Sequence, residues 1–327
     1  MPQSLGLLTA FLVLAADGSA INELLPSMRK NAALYADIEV RYSKEVRSPK
    51  LTSDEDPAHV TRWLRETYHA VWQGSLYYSK YRSQFETYAG AKSDFETEYG
   101  YDGEFTRVNY QGAIGNIDDR RQPPFPWFPP HNLGFQDLGD HQLADFLAVA
   151  PVVKSDQRLS AISRSDSTLM GTDVVDRVEC IKIRCDAYVT GDEKPRSRYL
   201  FWIAPERNYL ILRSEQYLVY ASIDVPICEY ETSDWRKIAD GIWLPFRGSA
   251  ILRQVSTDKA PKDWDLVSTT SYIIDSVNLH PKYPKEFFSS IEMPKDRRVY
   301  IIKGGKIVDT RVNGRSVETA VREEVEE

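Results

Sequence analysis

The sequence predicts a mostly β chain, either antiparallel α+β or a single curved β-sheet. Three observations carry that prediction. Strand-like runs with alternating apolar and polar residues follow one another through most of the chain, and turn signals separate them. Amphipathic helical segments are few. No Gly-rich strand-to-helix turn occurs, so the pattern is not a βαβ array, and no fixed-period repeat is present.

The first element is a helix from Asn22, a capping residue, to about Tyr35. Pro26 is tolerable in its first turn, and Leu24, Leu25, Met28, Ala32 and Tyr35 share one face. A strand over Ile38–Arg47 follows, with Ile38, Val40, Tyr42 and Val46 alternating with polar residues. Residues 48–58 are polar, hold two prolines and read as a loop. Val60–Trp72 suits a helix or a strand. Leu76–Thr87 and Glu104–Tyr110 read as antiparallel strands, with Tyr101-Asp102-Gly103 as a turn. Residues 122–131 pack five prolines and three aromatics into ten positions, which excludes regular structure. Asp140 can cap a helix over His141–Ala150, and a polar, Ser-rich connection runs from there to about Gly171.

Beyond that point the chain is β almost to its end. Val174–Val189 leads to Arg198–Ala204, a turn at Pro205–Asn208, and Tyr209–Ser214. Ile227–Trp235 and Ile242–Arg247 flank Asp240-Gly241, a strong hairpin signal. Trp264–Leu279 is the longest alternating stretch. Arg298–Ile302, Gly304-Gly305 and Ile307–Val312 make the last hairpin.

The chain has 327 residues, enough for one large domain or two small ones. With 42% hydrophobic and 27% charged residues it is not a disordered, collagenous or polytopic membrane protein. The net charge is −7, and the last ten residues hold five Glu against one Arg. A generally basic surface is lacking, so nucleic acid is not an expected partner. Tyrosine is the unusual count, at 19, beside 7 Trp.

Leu5–Ala16 is an apolar run of twelve, too short to span a bilayer. With small Gly18 and Ala20 behind it, it matches the core and cleavage site of a signal peptide over residues 1–20. Met1–Ser4 hold no Lys or Arg, and the competing reading is a buried first helix. Export to the periplasm or beyond, with no transmembrane span, is the expectation.

Cys180 and Cys185 have an odd separation that sends them to opposite faces of a strand, far beyond bridging distance. A disulfide, if formed, therefore joins Cys228 to Cys180 or Cys185. The alternative is three small buried hydrophobes.

Several segments together carry a family resemblance. They are NELLPSMRKNAALYADIEVRYSKEVR, GTDVVDRVECIKI, FWIAPERNYLILRSE, YETSDWRKIADGIWLPFRGSAI and YIIDSVNLHPKYPKEFF. The chain resembles the outer-membrane lipoprotein-sorting, LolA/LolB-like half-barrels, and most of all their larger, diverged versions in planctomycete bacteria. The resemblance spans most of residues 21–302 and rests on spacing and character. It implies a strongly curved antiparallel sheet forming an incomplete barrel, with helices closing the open side over an apolar cavity that holds acyl chains. It also implies a carrier without catalytic residues and without a cofactor. The half-barrel domain would run over 21–312, with 48–165 as an elaboration and 313–327 as an acidic tail.

No constellation in the chain announces catalysis. The five histidines are scattered, and no HxH, HExxH, CxxC or GxSxG occurs. Asp94, Glu96 and Glu98 line one face of a strand-like run, which reads best as a solvated face. Asp118-Asp119 beside Arg120-Arg121 reads as a solvated turn. Phe125, Trp127 and Phe128, spaced by prolines, are candidate lip residues presenting aromatics to an acyl chain; the competing reading is a loop stapled over the sheet. Arg41 and Tyr42 on the first strand, and Trp202, are candidates for the cavity mouth.

The leading expectation is an exported, non-catalytic envelope protein holding a lipid or lipoprotein acyl chain. The alternative is an envelope scaffold whose barrel is filled by its own aromatics and whose partner is another envelope protein.

Overall fold

Alternation of apolar and polar residues does turn most of this chain into strands. The computed structural model describes residues 18–49, 57, 60–121, 143–148, 162–189 and 191–316. The expected apolar leader Leu5–Ala16, the Pro/aromatic segment and the acidic tail from Val317 onward lie outside the described residues. The chain divides into two compact units. The first comprises Met1–Leu34 and Phe128–Ser271, the second Tyr35–Trp127 and Tyr272–Glu327.

In the first unit the strands are β7 (Ile162–Val175), β8 (Val178–Val189), β9 (Ser197–Ala204), β10 (Leu210–Leu218), β11 (Cys228–Ala239), β12 (Ile242–Arg253) and the start of β13 (Leu266–Leu279). They pair in sequence order, and β7 is an edge. Helices α1 (Gly18–Ala32) and α2 (Leu143–Leu147) lie on one face. From α1 come Ile21, Leu25 and Met28, which follow the helical period and are all buried. They share one apolar cluster with Ile183, Cys185, Phe201 and Ile203 of the sheet.

The second unit holds β1 (Ile38–Arg47), β2 (Thr61–Gln73), β3 (Leu76–Thr87), β4 (Lys92–Tyr101), β5 (Thr106–Tyr110), β6 (Ile114–Asp118), the rest of β13, α3 (Lys285–Ser289), β14 (Arg298–Lys303), β15 (Lys306–Val312) and β16 (Arg315–Ser316). The order is β16-β15-β14-β6-β5-β4-β3-β2-β1-β13. β1 to β6 pair antiparallel in succession, as do β14 with β15 and β15 with β16, whereas β14 pairs parallel with β6. That parallel pair arises because the chain returns to the sheet after α3, with no hairpin to reverse it.

Several expectations need correction. Val60–Trp72 is a strand: flanking β1 and β3 pair along nearly its whole length, and that pairing decides a segment whose local pattern suits both states. The expected Ser-rich connection before Gly171 is instead β7 from Ile162; its serines sit opposite β8, where Ser165 and Ser167 are buried. The run Val174–Val189 is broken by a two-residue turn at Asp176 and Arg177, both at positive φ, as a hairpin requires. Helix α1 begins at Gly18, ahead of Asn22.

No disulfide forms among the three cysteines. Cys185, Tyr199, Gln216 and Cys228 lie in one register row. That row sets Cys185 and Cys228 three strands apart, about 14 Å. Cys180 is further along β8 and faces the other side of the sheet, in a cluster with Trp202 and Leu212.

Candidate functional site

One face of the second unit is paved with tyrosine. Directly opposed residues on neighbouring strands point to the same side. The register therefore aligns Tyr42 of β1, Tyr68 of β2, Tyr81 of β3, Thr97 of β4 and Tyr110 of β5 in a single row. Tyr77 and Tyr101 make a second row, and Tyr99 lies between the two. The rings of Tyr42 and Tyr68 stack at 4.5 Å, those of Tyr68 and Tyr81 at 5.8 Å, and those of Tyr77 and Tyr101 at 5.9 Å. Tyr99 meets Tyr110 edge-on at 5.9 Å. Burial falls from one tyrosine of the row to the next, although Thr97 is buried: Tyr42 is 2% exposed and Tyr68 5%, Tyr81 is half-buried, and Tyr110 reaches 37%.

Beside the buried end sits an ion pair. Lys44 Nζ lies 3.0 Å from Glu66, and Tyr68 donates its hydroxyl to the same carboxylate at 2.7 Å. Glu66 is buried, so the two donors offset the cost of desolvating it. The Tyr42 hydroxyl, by contrast, is buried without a hydrogen-bond partner among the described residues. Burial, then Tyr272 and Glu66, hold its pKa well above the ordinary phenol value; burial, then Tyr42 and Glu66, do the same for Tyr68. The face is thus aromatic and without net charge, its polar groups being hydroxyls and the paired Lys44 and Glu66.

Alternation puts Arg41 on the opposite face from Tyr42, so the two expected mouth residues do not form one site. Arg41 is exposed and stands opposite His69. His69 Nε2–H donates to Glu39 at 2.8 Å, Tyr283 donates to the second Glu39 oxygen at 3.0 Å, and Asn278 approaches it at 3.4 Å. Burial outweighs the Glu39 hydrogen bond and lowers the His69 pKa, with Arg41 and Lys80 adding to the effect. Burial opposes the Glu39 charge, yet the bonds from His69, Asn278 and Tyr283 win and lower its pKa. This cluster ties residues 278–283 to the sheet.

The chain then crosses β4 and β6 at two glycines. A Cβ on Gly100 would stand 2.3 Å from the Phe288 carbonyl, and one on Gly115 would stand 2.8 Å from Met293 Sδ. Beside this crossing lies a polar groove of about 660 Å³, lined among others by Lys80, Asp94, Glu96, Glu98 and Met293. Its carboxylates are paired across strands, Lys80 with Glu96 and Glu98, Arg82 with Asp94. The bonds from Arg82 and Gln84 lower the Asp94 pKa to about 2. Asp118 departs from the expected solvated turn: it is buried and holds Arg120 at 2.9 Å, while Asp119 accepts from the Gly304 amide.

In the first unit the helix-covered face is filled. Phe146 of α2 meets Tyr199 at 5.3 Å and Phe201 at 6.1 Å, edge to face. Trp202 is on the other side of the sheet, 5% exposed, where Lys182 and Arg213 flank its ring at 4.5 and 5.1 Å and Asp173 accepts its Nε1–H at 2.9 Å. Those partners occupy it, and it faces away from α1 and α2. Phe125, Trp127 and Phe128 lie outside the described residues.

No protein-family model matches the chain, and no curated protein does. Solved structures do. A DUF1329 family protein from Desulfovibrio piger aligns over 85% of this chain and 100% of its own, at 14% identity and a TM-score of 0.45. A provisionally assigned outer membrane lipoprotein-sorting domain from Vibrio parahaemolyticus aligns over 82% and 97%, at 8% identity and 0.41. A LolA superfamily protein from Nitrosomonas europaea aligns over 82% and 96%, at 12% identity and 0.37. The chain is similar to these structures over most of its length. At these identities the likeness concerns the fold alone. Among the described residues no helix is long and apolar enough to cross a membrane.

The tyrosine rows escaped the sequence reading although tyrosine stood out by count. Of their members only Tyr42 is a candidate from sequence, because the rows depend on the register between strands. Regular spacing within β3 (Tyr77, Tyr81) and β4 (Tyr99, Tyr101) was the available signal.

Proposed function

We propose that this chain is an exported, non-catalytic binding protein that holds an apolar ligand, a lipid or a lipoprotein acyl chain, on the tyrosine face of its second unit. The observation that carries the reading is the row Tyr42–Tyr68–Tyr81, continued by Tyr99 and Tyr110, which passes from fully buried to accessible. Aromatic side chains offer roughly 150–250 Å² each for apolar contact. Tyrosine hydroxyls are uncharged at neutral pH, and burial raises the pKa of Tyr42 and Tyr68 further, so no phenolate opposes an apolar occupant. The ligand is held and released unchanged.

Binding driven by burial gains about 0.8 kcal/mol per CH₂ removed from water. Affinity of the full chain for saturated acyl esters should therefore rise about fourfold per added methylene until the face is covered. Native mass spectrometry of protein from a bacterial periplasm should show an acyl species bound, and extraction should return it intact. An affinity independent of chain length would end this reading.

A second reading, a scaffold for another envelope protein, is favoured by one observation. The face of the first unit is already filled by Phe146, Tyr199 and Phe201. On that reading the same mass spectrum shows bare protein, before and after incubation with long-chain lipid. The partner would then use the edge strand β7, where Met170 and Val174 are exposed, or the Phe125–Phe128 segment.

A further inference from the structure

Two tyrosines of identical chemistry stack on each other at the buried end of the row, and only one has an acceptor for its hydroxyl. A buried hydroxyl without a partner costs desolvation and returns nothing. Phenylalanine would fill the same space without that cost, so the hydroxyl of Tyr42 calls for an explanation beyond packing. Strand neighbours do not supply one: Tyr68 directs its own hydroxyl to Glu66, and Lys44 is committed to the same carboxylate.

We infer that the Tyr42 hydroxyl is the hydrogen-bond donor for the carbonyl oxygen of a bound acyl ester or amide. The inference rests on the proposed reading of the tyrosine face and names the ligand class for it. Three features select a neutral carbonyl. The hydroxyl is an uncommitted donor, so an acceptor completes it. It sits in an aromatic surround, so the rest of the ligand is apolar. Glu66 beside this row is buried and its charge is already met by Lys44, so a free fatty-acid carboxylate would bring a second anion next to it. An esterified or amide-linked chain avoids that penalty. The hydroxyl is covered in this structure, so the carbonyl reaches it by displacing side chains now packed against it.

The test compares methyl dodecanoate, dodecanoate and tridecane on the full-length protein and on Tyr42→Phe. The wild type should prefer the ester over the alkane by about tenfold, or about 1.4 kcal/mol, and should bind the carboxylate less tightly than the ester. Tyr42→Phe should lose the preference for the ester over the alkane. With ¹³C-labelled ester, the carbonyl stretch should move to lower frequency in the wild type and return in the variant. This measurement on the wild type alone keeps the test decisive if the variant folds poorly.

A tenfold preference that survives in Tyr42→Phe, or an unshifted carbonyl stretch in bound wild type, overturns the inference while leaving the tyrosine face as a binding surface. A preference for dodecanoate over its ester overturns the choice of a neutral carbonyl. Failure of all three probes to bind the wild type overturns the reading of the face itself.

Discussion

Tyr42 and Tyr68 stack at 4.5 Å with their rings inclined by 14°, yet their hydroxyls meet opposite fates: Tyr68 donates to Glu66 at 2.7 Å and Tyr42 donates to no described residue. The same substitution should therefore have opposite effects at adjacent positions. Tyr68→Phe removes one of the donors to a buried carboxylate and should destabilise the protein by about 1–3 kcal/mol. Tyr42→Phe removes only an unmet donor and should leave stability unchanged or raise it. Urea unfolding of the two variants beside the wild type measures both, and equal losses would contradict the assignment.

Two glycines should differ in the same graded way. At Gly100 the obstacle is the Phe288 backbone carbonyl, which cannot step aside without moving α3. Gly100→Ala should cost about 1–3 kcal/mol or more, the range for overfilling a packed site. At Gly115 the nearest atom is Met293 Sδ, the end of a flexible side chain, so Gly115→Ala should cost less. Thermal melting of both variants ranks them, and the reverse order would show that residues 281–295 are held differently.

The Glu39–His69 pair makes stability fall on the acid side. Burial lowers the His69 pKa in the folded state below its ordinary 6.5, so the unfolded chain binds the proton more readily. The contribution of His69 is complete above 6.5 and declines as pH drops through that value. Glu39, whose folded pKa is also lowered, adds a loss that begins only below about 4.5. Stability measured from about pH 7.5 to 5.5 should therefore decline, and His69→Gln should flatten that decline. An unchanged slope in the variant would assign the decline to other groups.

The cysteines should react unequally. Burial pushes Cys185 up to about 12 and Cys180 up to about 11, and both thiols are covered. Cys228 is half-exposed at the start of β11. A thiol reagent at pH 8 should label Cys228 first in the native protein and reach all three only in denaturant. Rapid labelling of three thiols without denaturant would contradict this packing, and labelling of only one in denaturant would reveal a bridge.

Much of the fold was legible in the chain itself. Ile38–Arg47 and Leu76–Thr87 match β1 and β3 at both ends, because alternation of side chains across a half-buried strand is a local property. The Asp240-Gly241 and Gly304-Gly305 turns were readable for the same reason: positive φ at Gly241, Gly304 and Gly305 is a demand on single residues. Val60–Trp72 was not decidable locally. It became β2 through pairing with β1 and β3, interactions that no window of its own sequence contains.

The candidate site divides along the same line. Alternation alone separates Arg41 from Tyr42 and Cys180 from Cys185, since neighbours at odd spacing on a strand must face apart. That Tyr42, Tyr68, Tyr81 and Tyr110 form one surface was decided only by tertiary structure. Its members come from four strands, and a slip of one residue in any register would have sent that strand's tyrosine to the opposite face. The unmet hydroxyl of Tyr42 is likewise a property of the folded state, because only the folded chain removes it from water without bringing it an acceptor.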